Sequence, residues 1–474
     1  MADRILEGSL GRQVARFGTP LAIGMGLQTT FNLVDAYILG RLEHGTASAA
    51  LGAIGIADQL SAMGTILSYG FSIATAAILS RKQGEGDQDG IRRVAWQSLL
   101  LVLTLSAVIG GIALFGAGTL MRDIVGAKGR VAELGTSYLR TMVGGSVTIF
   151  LLLHLTTIQR ALGSSKTPIT MMLAANVLNF FLAVLLVYGP GAAPPVFAWG
   201  PPIARLLGLP RLELMGAAWA TIIARAVVLV PTLVVLVQRF GLFRRPEWAR
   251  PDREAIGNIV GIGWPTSMQL VVRIAAMLVT HSIVARAYTT DADQSATTAL
   301  GIVFRLETMA LFVGLGWGSA AQTFVGQNLG AGKPERALAS GWWAMAYNAA
   351  MMAALAVIYR STGARIVGFF DDAPDVIQFA VTYITWVAPS YVALGMGIVL
   401  GSAIQGAGAT RETLRTDAFI VSIVQVPASL LVVFGFGQAP ARLFQIVALT
   451  YVTYAVAYVV RYRGGGFLKT RVAG

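Results

Sequence analysis

Twelve times along this chain, apolar residues run on for about 20 positions or more, the length a helix needs to cross ~30 Å of hydrocarbon. The runs fall near 16–41, 48–80, 92–116, 134–160, 168–189, 212–238, 256–288, 296–329, 338–359, 376–408, 416–436 and 441–462. No water reaches backbone N–H and C=O groups inside lipid, so each run must close its own hydrogen bonds as a helix. Composition agrees. The chain has 474 residues, 55% hydrophobic and 12% charged, about half the charged share of a soluble domain. The expected fold is an all-α membrane protein of twelve transmembrane helices, several long enough to tilt, bend or project beyond the bilayer.

An even number of spans places both termini on one side. Most of the 36 Lys and Arg lie in the terminal segments and in connectors on that side, which the positive-inside rule assigns to the cytoplasm. The expectation is therefore a multi-pass protein of a bacterial cytoplasmic (inner) membrane. Arg239, Arg244, Arg245, Arg250 and Arg253 crowd one connector, where they would face anionic lipid. This distribution accounts for the net charge of +13 without a nucleic-acid partner, since no stacking motif accompanies the basic residues. Arg4, Arg12 and Arg16 precede the first span with no small-residue cleavage site, so that span reads as retained. With no cysteine and with His44, His154 and His281 far apart, neither a thiolate site nor H-E-x-x-H arises. Gly84–Gly90 lacks the Gly-Lys-Ser or Gly-Lys-Thr of a phosphate loop. Neither enzymatic activity nor a cofactor is expected.

The chain repeats itself. Gly18-Thr19-Pro20 recurs as Gly263-Trp264-Pro265, Ala50-Leu51-Gly52 as Ala299-Leu300-Gly301, Asp58 as Glu307, and Gly163 as Gly408, at an offset of about 245 residues. Each half holds six spans. Six is even, so the halves enter the membrane in the same orientation, related by a pseudo-twofold axis along the membrane normal. The expected organisation is an N-terminal six-helix lobe over 1–240, a cytoplasmic linker over 241–255 and a C-terminal lobe over 256–474. A cleft between parallel lobes suits alternating access.

Polar residues inside the spans carry the functional signal. Gln28, Asn32 and Asp35 fall at i, i+4 and i+7 of span 1, one stripe on an apolar rod. An ionised side chain at mid-bilayer costs roughly 2.5–3.5 kcal/mol on insertion scales. A retained acid is therefore a place where protons or ions arrive and leave, or else an interhelical hydrogen bond worth under about 1 kcal/mol. Burial disfavours the charged carboxylate, which moves its titration toward the range a proton gradient can switch. Glu307 in span 8 is expected to form a structural charge pair with Arg273 of span 7; the role of Asp58 stays open. His154 and His281, each alone in an apolar run, read as packed, singly hydrogen-bonded histidines. Phe31, Tyr37, Met142 and Trp386, together with Phe150 and Tyr391, are candidates for a substrate cleft, with Gln28 as its polar member. Aromatic faces hold cations, and thioethers adapt to varied shapes. The Pro-rich stretch Gly189–Arg211 is expected to be an ordered external loop on the membrane.

Several strings resemble the multidrug and toxic compound extrusion (MATE) transporters. They are Asn32-Leu33-Val34-Asp35 through Gly40-Arg41, Arg160-Ala161-Leu162-Gly163-Ser164-Ser165-Lys166-Thr167-Pro168, Asn176-Val177-Leu178-Asn179, Gly301 through Glu307, and Val325-Gly326-Gln327-Asn328-Leu329-Gly330-Ala331-Gly332-Lys333-Pro334-Glu335-Arg336-Ala337. Arg305-x-Glu307 is more similar to the DinF-like branch than to the NorM-like one. The resemblance implies efflux of amphipathic, often cationic compounds in exchange for protons or sodium. It assigns cation coupling to Asp35, with Asn179 and Thr221 beside it and Asn32 and Asn176 as further members. Ala183 and Arg273 stand where relatives have second acids. A two-carboxylate sodium site is thus not expected, although Asp35, Asn179, Thr221 and carbonyl groups retain oxygens for Na+. Protons are the favoured coupling ion.

The reading is a monomeric secondary multidrug antiporter whose partners are small-molecule drugs or metabolites and the lipid bilayer. The alternative is a flippase for lipids or lipid-linked oligosaccharides with the same lobes, which Arg273, Arg286 and Arg305 keep open.

Overall fold

The computed structural model describes residues 3–42, 44–126, 128–244, 250–290, 293–437 and 439–470; for residues 3, 4, 30–36, 124 and most of 44–62 the description is confined to the backbone. Among the described residues the structure is helical, with no strand. Ten helices are long and apolar enough to cross a membrane, and the bent pair Gly129–Gly144 and Ser146–Ala161 makes an eleventh span. Leu10–Gly40, a helix of 31 residues, completes the twelve. The expected architecture of twelve transmembrane helices in two six-helix lobes is the one found.

Several helices outrun their apolar runs, and two of them begin at an acidic cap. Span 2 covers His44–Glu85, 42 residues, or about 63 Å at 1.5 Å per residue. Span 3 starts at Asp87, whose side chain accepts from the Gly90 N–H at 2.8 Å, and span 7 starts at Asp252, which caps Glu254 and Ala255. Each cap satisfies N–H groups that a helix start leaves free. Breaks fall where the chain cannot continue a straight helix. Span 4 bends by 42° at Gly145. Span 10 passes through a 3₁₀ turn at Ala388–Ser390, which contains Pro389. Span 11 holds π-helical turns at Ile420–Gln425 and Leu431–Gly435 on either side of Pro427, whose ring removes one N–H from the ladder.

Between spans 5 and 6, Gly189–Arg211 is ordered, with a 3₁₀ turn at Pro195–Phe197 and a short helix at Gly200–Leu206. Its ends close on each other. Leu212 N–H donates to the Leu186 carbonyl at 2.8 Å, while Phe197 is buried against Tyr37, Phe180 and Tyr188.

The internal repeat appears in the geometry of the seam between halves. Gly163 and Gly408 both end a helix in the left-handed region, at φ of +87° and +88°, a conformation that favours glycine. Gly18 of span 1 lies against the Trp317 ring of span 8, and Gly263 of span 7 lies against the Phe71 ring of span 2. Spans 8 and 1 meet where a Cβ on Gly316 would stand 2.4 Å from Ala22 Cα; spans 2 and 7 meet where a Cβ on Gly70 would stand 2.6 Å from Ser267 N. Each pair maps onto the other by the repeat offset. Gly326 and Ser80, equivalent to each other, touch at the axis.

The described terminal segments, from residue 3 and up to residue 470, lie at the end of the molecule where this seam is closed. Thr470 carbonyl accepts from Arg81 at 2.8 Å, while Arg336 donates to the Gly8, Ile5 and Glu7 carbonyls and to Gln13. Among the described residues, side-chain hydrogen bonds between the halves run from Leu67–Ser267 toward this terminus side: Gln322 to Ile73 carbonyl at 2.8 Å, Thr323 to Arg160 carbonyl at 3.3 Å, Gln327 to Ala161 carbonyl at 2.8 Å. Ile5, Val14, Phe17, Leu21 and Ala22 pack into the core of the C-terminal half. The terminus-side part of span 1 therefore packs on the C-terminal half, while residues 241–252 connect span 6, which ends at Phe240, to span 7, which starts at Arg253. Span 3 is tied to that connector by Gln97 on the Arg250 carbonyl (2.8 Å) and by Arg93 Nε on Asp252 at 2.6 Å.

Two outcomes are expected. Gly316→Leu or Gly70→Leu should push backbone from backbone and lower stability by about 1–3 kcal/mol or more, read as a lower melting temperature of the purified protein. Asp252 is held below the ordinary carboxylate range, first by the Ala255 N–H and then by Arg93. Such a group stabilises the fold above its unfolded pKa and loses that contribution as pH falls through its folded pKa. Melting temperature should therefore decline below about pH 3.9, and Asp252→Asn should flatten the decline.

Candidate functional site

The N-terminal lobe brings together two of the expected coupling residues. Thr221 Oγ1 of span 6 donates to Asn179 Oδ1 of span 5 at 3.0 Å and lies 2.9 Å from the Ala217 carbonyl. The contact follows from close helix packing: a Cβ on Gly216 would stand 2.5 Å from the Leu186 carbonyl carbon. Asn176, one turn before Asn179, keeps an enclosed amide Nδ2 with no partner among the described residues, as does Gln28 Oε1 on span 1. Ala183, one turn after Asn179, is fully buried, so this face of span 5 looks into the lobe. Span 1 is pinned beside span 5 by Tyr188 OH on the Ile38 carbonyl at 2.7 Å. The backbone of span 1 is helical through residues 31–36. The side chains of Asp35, Asn32 and Phe31, like that of Asp58, lie outside the described residues.

The cleft candidates Tyr37, Met142 and Trp386 lie on spans 1, 4 and 10. Tyr37 is half exposed, edge-on to Phe197 and beneath the Arg41 guanidinium at 5.0 Å. Met142 packs against the core of the N-terminal lobe, and Trp386 is half exposed on span 10. Phe150 and Tyr391 are buried.

The expected Glu307–Arg273 pair is corrected. Arg273 Nε donates to Asp417 Oδ2 of span 11 at 2.7 Å. Asp417 is fully buried and also accepts from Gln269 Nε2 at 2.7 Å and from Tyr458 OH at 2.5 Å. Gln405 and Thr413 complete the network through Gln269 Oε1. Glu307 instead accepts from Tyr383 OH at 2.5 Å and from Tyr451 OH, with Tyr391 beside it. Phenol donors satisfy its oxygens, and Asp417 takes the arginine. Sequence reasoning missed Asp417 because it stands at the very start of the 416–436 run, next to Arg411, Glu412 and Arg415, where it reads as a charge at a span end. The i, i+4 spacing of Gln269 and Arg273 was the available signal for a polar face on span 7.

His154 makes two hydrogen bonds rather than one, to Ser72 at 3.0 Å and Ser98 at 2.9 Å, and so links spans 2, 3 and 4. His281 packs edge-on to Phe304, ring centroids 4.7 Å apart.

The MatE family model matches residues 20–185 and again 260–431, once in each half. The chain belongs to the MatE family. It is accordingly a multi-pass member of a membrane transporter family. Over 438 residues it is 25% identical to the probable multidrug resistance protein YpnP of Bacillus subtilis, covering 91% of this chain and 90% of that one. It is 23% identical to an FAD transporter of Shewanella oneidensis, covering 91% and 90%. A crystal structure of a MATE transporter in complex with MaL6 superposes with a TM-score of 0.85 at 20% identity, over 98% of this chain and 97% of that one. The two MatE matches start 240 residues apart, close to the offset of the seam glycines.

Truncating Arg273 strands a buried carboxylate. Arg273→Met is expected to cost about 3–5 kcal/mol, and Arg273→Met with Asp417→Asn to recover most of it, measured as melting temperatures of the purified variants.

Proposed function

We propose that the protein is a secondary multidrug antiporter of the bacterial cytoplasmic membrane, with both termini in the cytoplasm, exporting amphipathic compounds in exchange for protons. The observation that carries this reading is the seam closed on the terminus side by symmetry-equivalent backbone contacts. Two lobes joined this way present the cleft outward, and rocking about the seam would present it inward. MatE membership and the relatives named for multidrug resistance support the substrate class.

In this reading Asp35 is protonated from outside, and the hydrogen-bonded surroundings of Asn179, Thr221, Asn176, Asn32 and Gln28 rearrange so that drug affinity falls. The driving force is about 2.3 kcal/mol per proton per 100 mV, added to the pH gradient. Sodium is the competing ion, with Asp35, Asn179 and Thr221 as its oxygens. The protein acts as a monomer, without a cofactor and without nucleic acid.

The test is dye export from proteoliposomes with the proton and sodium gradients collapsed separately. Collapse of the proton gradient should stop export and collapse of the sodium gradient should not. Asp35→Asn should lower pH-driven export at least tenfold at equal protein content. Undiminished export by that variant would end the assignment, and failure to move any dye would favour the flippase reading.

A further inference from the structure

The segment Gly189–Arg211 between spans 5 and 6 has no acidic residue, and its charges are Arg205 and Arg211. Pro190, Pro194, Pro195, Pro201, Pro202 and Pro210 supply no backbone N–H, so little donor capacity is left to satisfy. Other donors close within the segment or onto its flanks: Gly191 on the Tyr188 carbonyl at 3.0 Å, Phe197 on Pro194 at 2.8 Å, Leu207 on Ile203 at 3.0 Å and Leu209 on Ala204 at 2.9 Å. Unpaired backbone donors are what exclude irregular chain from lipid. This stretch has few of them.

The segment folds back beside span 5, which covers Lys166–Tyr188. Trp199 meets the Phe181 ring with centroids 5.5 Å apart, and a Cβ on Gly200 would stand 2.7 Å from Val184 Cγ1. Phe181 precedes the end of that helix by about two turns, or about 10 Å. The chain therefore descends along span 5 and returns to the Leu212–Leu186 hydrogen bond. The side of span 5 that it covers is also defined. Asn179 and Ala183 look into the lobe, whereas Ala174, Val177 and Phe181, at i, i+3 and i+7, form an exposed apolar stripe. Polar side chains of a membrane helix turn to the bundle interior, which leaves that stripe to lipid. Trp199 packs on it.

The segment has two faces. Phe197 and Ala204 are buried on the inner one, Phe197 against Tyr37 of span 1. Val196, Ile203, Leu206 and Leu207 are exposed on the outer one, Leu206 to 85%. Arg211 pairs with Glu213 at 3.2 Å, and Arg205 is exposed beside Leu206. An apolar face edged by Trp and Arg, continuous with a lipid-facing helix stripe, matches the interfacial zone of a bilayer, where such segments bury to about 5–10 Å.

We infer that Gly189–Arg211 is a re-entrant elbow seated in the leaflet opposite the termini, its outer face in contact with acyl chains. It enters the leaflet instead of lying over it. Through the Phe197–Tyr37 contact it ties the far end of span 1 to that leaflet. The inference goes beyond the transporter reading and does not depend on transport.

The chain has no cysteine, so Ile203→Cys and Leu206→Cys can each carry one nitroxide on the full-length protein. Both are reconstituted into vesicles of phosphatidylethanolamine and phosphatidylglycerol. Power-saturation resonance then compares collisions with oxygen, which concentrates in lipid, and with nickel ethylenediaminediacetate, which stays in water. Val230→Cys, exposed on span 6, is the lipid reference; Asp372→Cys, exposed between spans 9 and 10 on the same side, is the aqueous one. At both elbow sites the oxygen-to-nickel ratio should exceed that at Asp372→Cys by about fivefold or more and approach that at Val230→Cys. A ratio at either site equal to that of Asp372→Cys would place the segment in water and overturn the assignment. So would protection from both reagents, since a partner protein or a second copy would then cover the face.

Discussion

Backbone-to-backbone contact across the seam is the constraint on which the rest depends. Where a Cβ on Gly316 or Gly70 would strike the backbone of the opposing helix, spans 8 and 2 approach spans 1 and 7 with nothing between them. Without a strong hydrophobic force in lipid, helix association relies on such close packing and on hydrogen bonds. The bonds that cross the seam are mostly side-chain amides or hydroxyls on helix carbonyls, as at Gln322, Thr323 and Gln327. They are short-range and neutral, and each is worth about 1 kcal/mol. A joint of this kind holds one arrangement without locking it.

Charge is handled differently. Arg273 and Asp417 belong to the same half, as do Glu307 and the phenols of Tyr383 and Tyr451. The carboxylates Asp417 and Glu307 are thus satisfied within a lobe, and separating the lobes need not break those contacts, which would be expensive in a low-dielectric interior. The exceptions lie near the aqueous edge, where Arg93 meets Asp252 and Arg336 holds the N-terminal segment. Exposed pairs of that sort cost little to separate.

The fold was legible because its signals are local or periodic. Span length follows from apolar runs, and the repeat from glycines whose backbone role recurs, Gly163 and Gly408 at nearly the same φ. The partners of intramembrane charges were not. Arg273 and Asp417 lie in different spans, and a carboxylate held by tyrosines gives no charge pattern to read, which is why Glu307 was assigned the wrong neighbour. Asn179 and Thr221 were placed by family resemblance, and the structure brings them within 3.0 Å. Their chemistry with Asp35 lies beyond the described side chains.

The central claim is that the terminus-side seam opens and closes as the molecule works. The chain contains no cysteine, so Asp89→Cys and Glu335→Cys, at equivalent exposed positions of the two halves, would carry spin labels without background. Electron–electron resonance between them in lipid bilayers should give a short distance at one pH and a second, longer one when pH or drug is changed. A single distance, unchanged across pH, sodium and drug, would contradict the account.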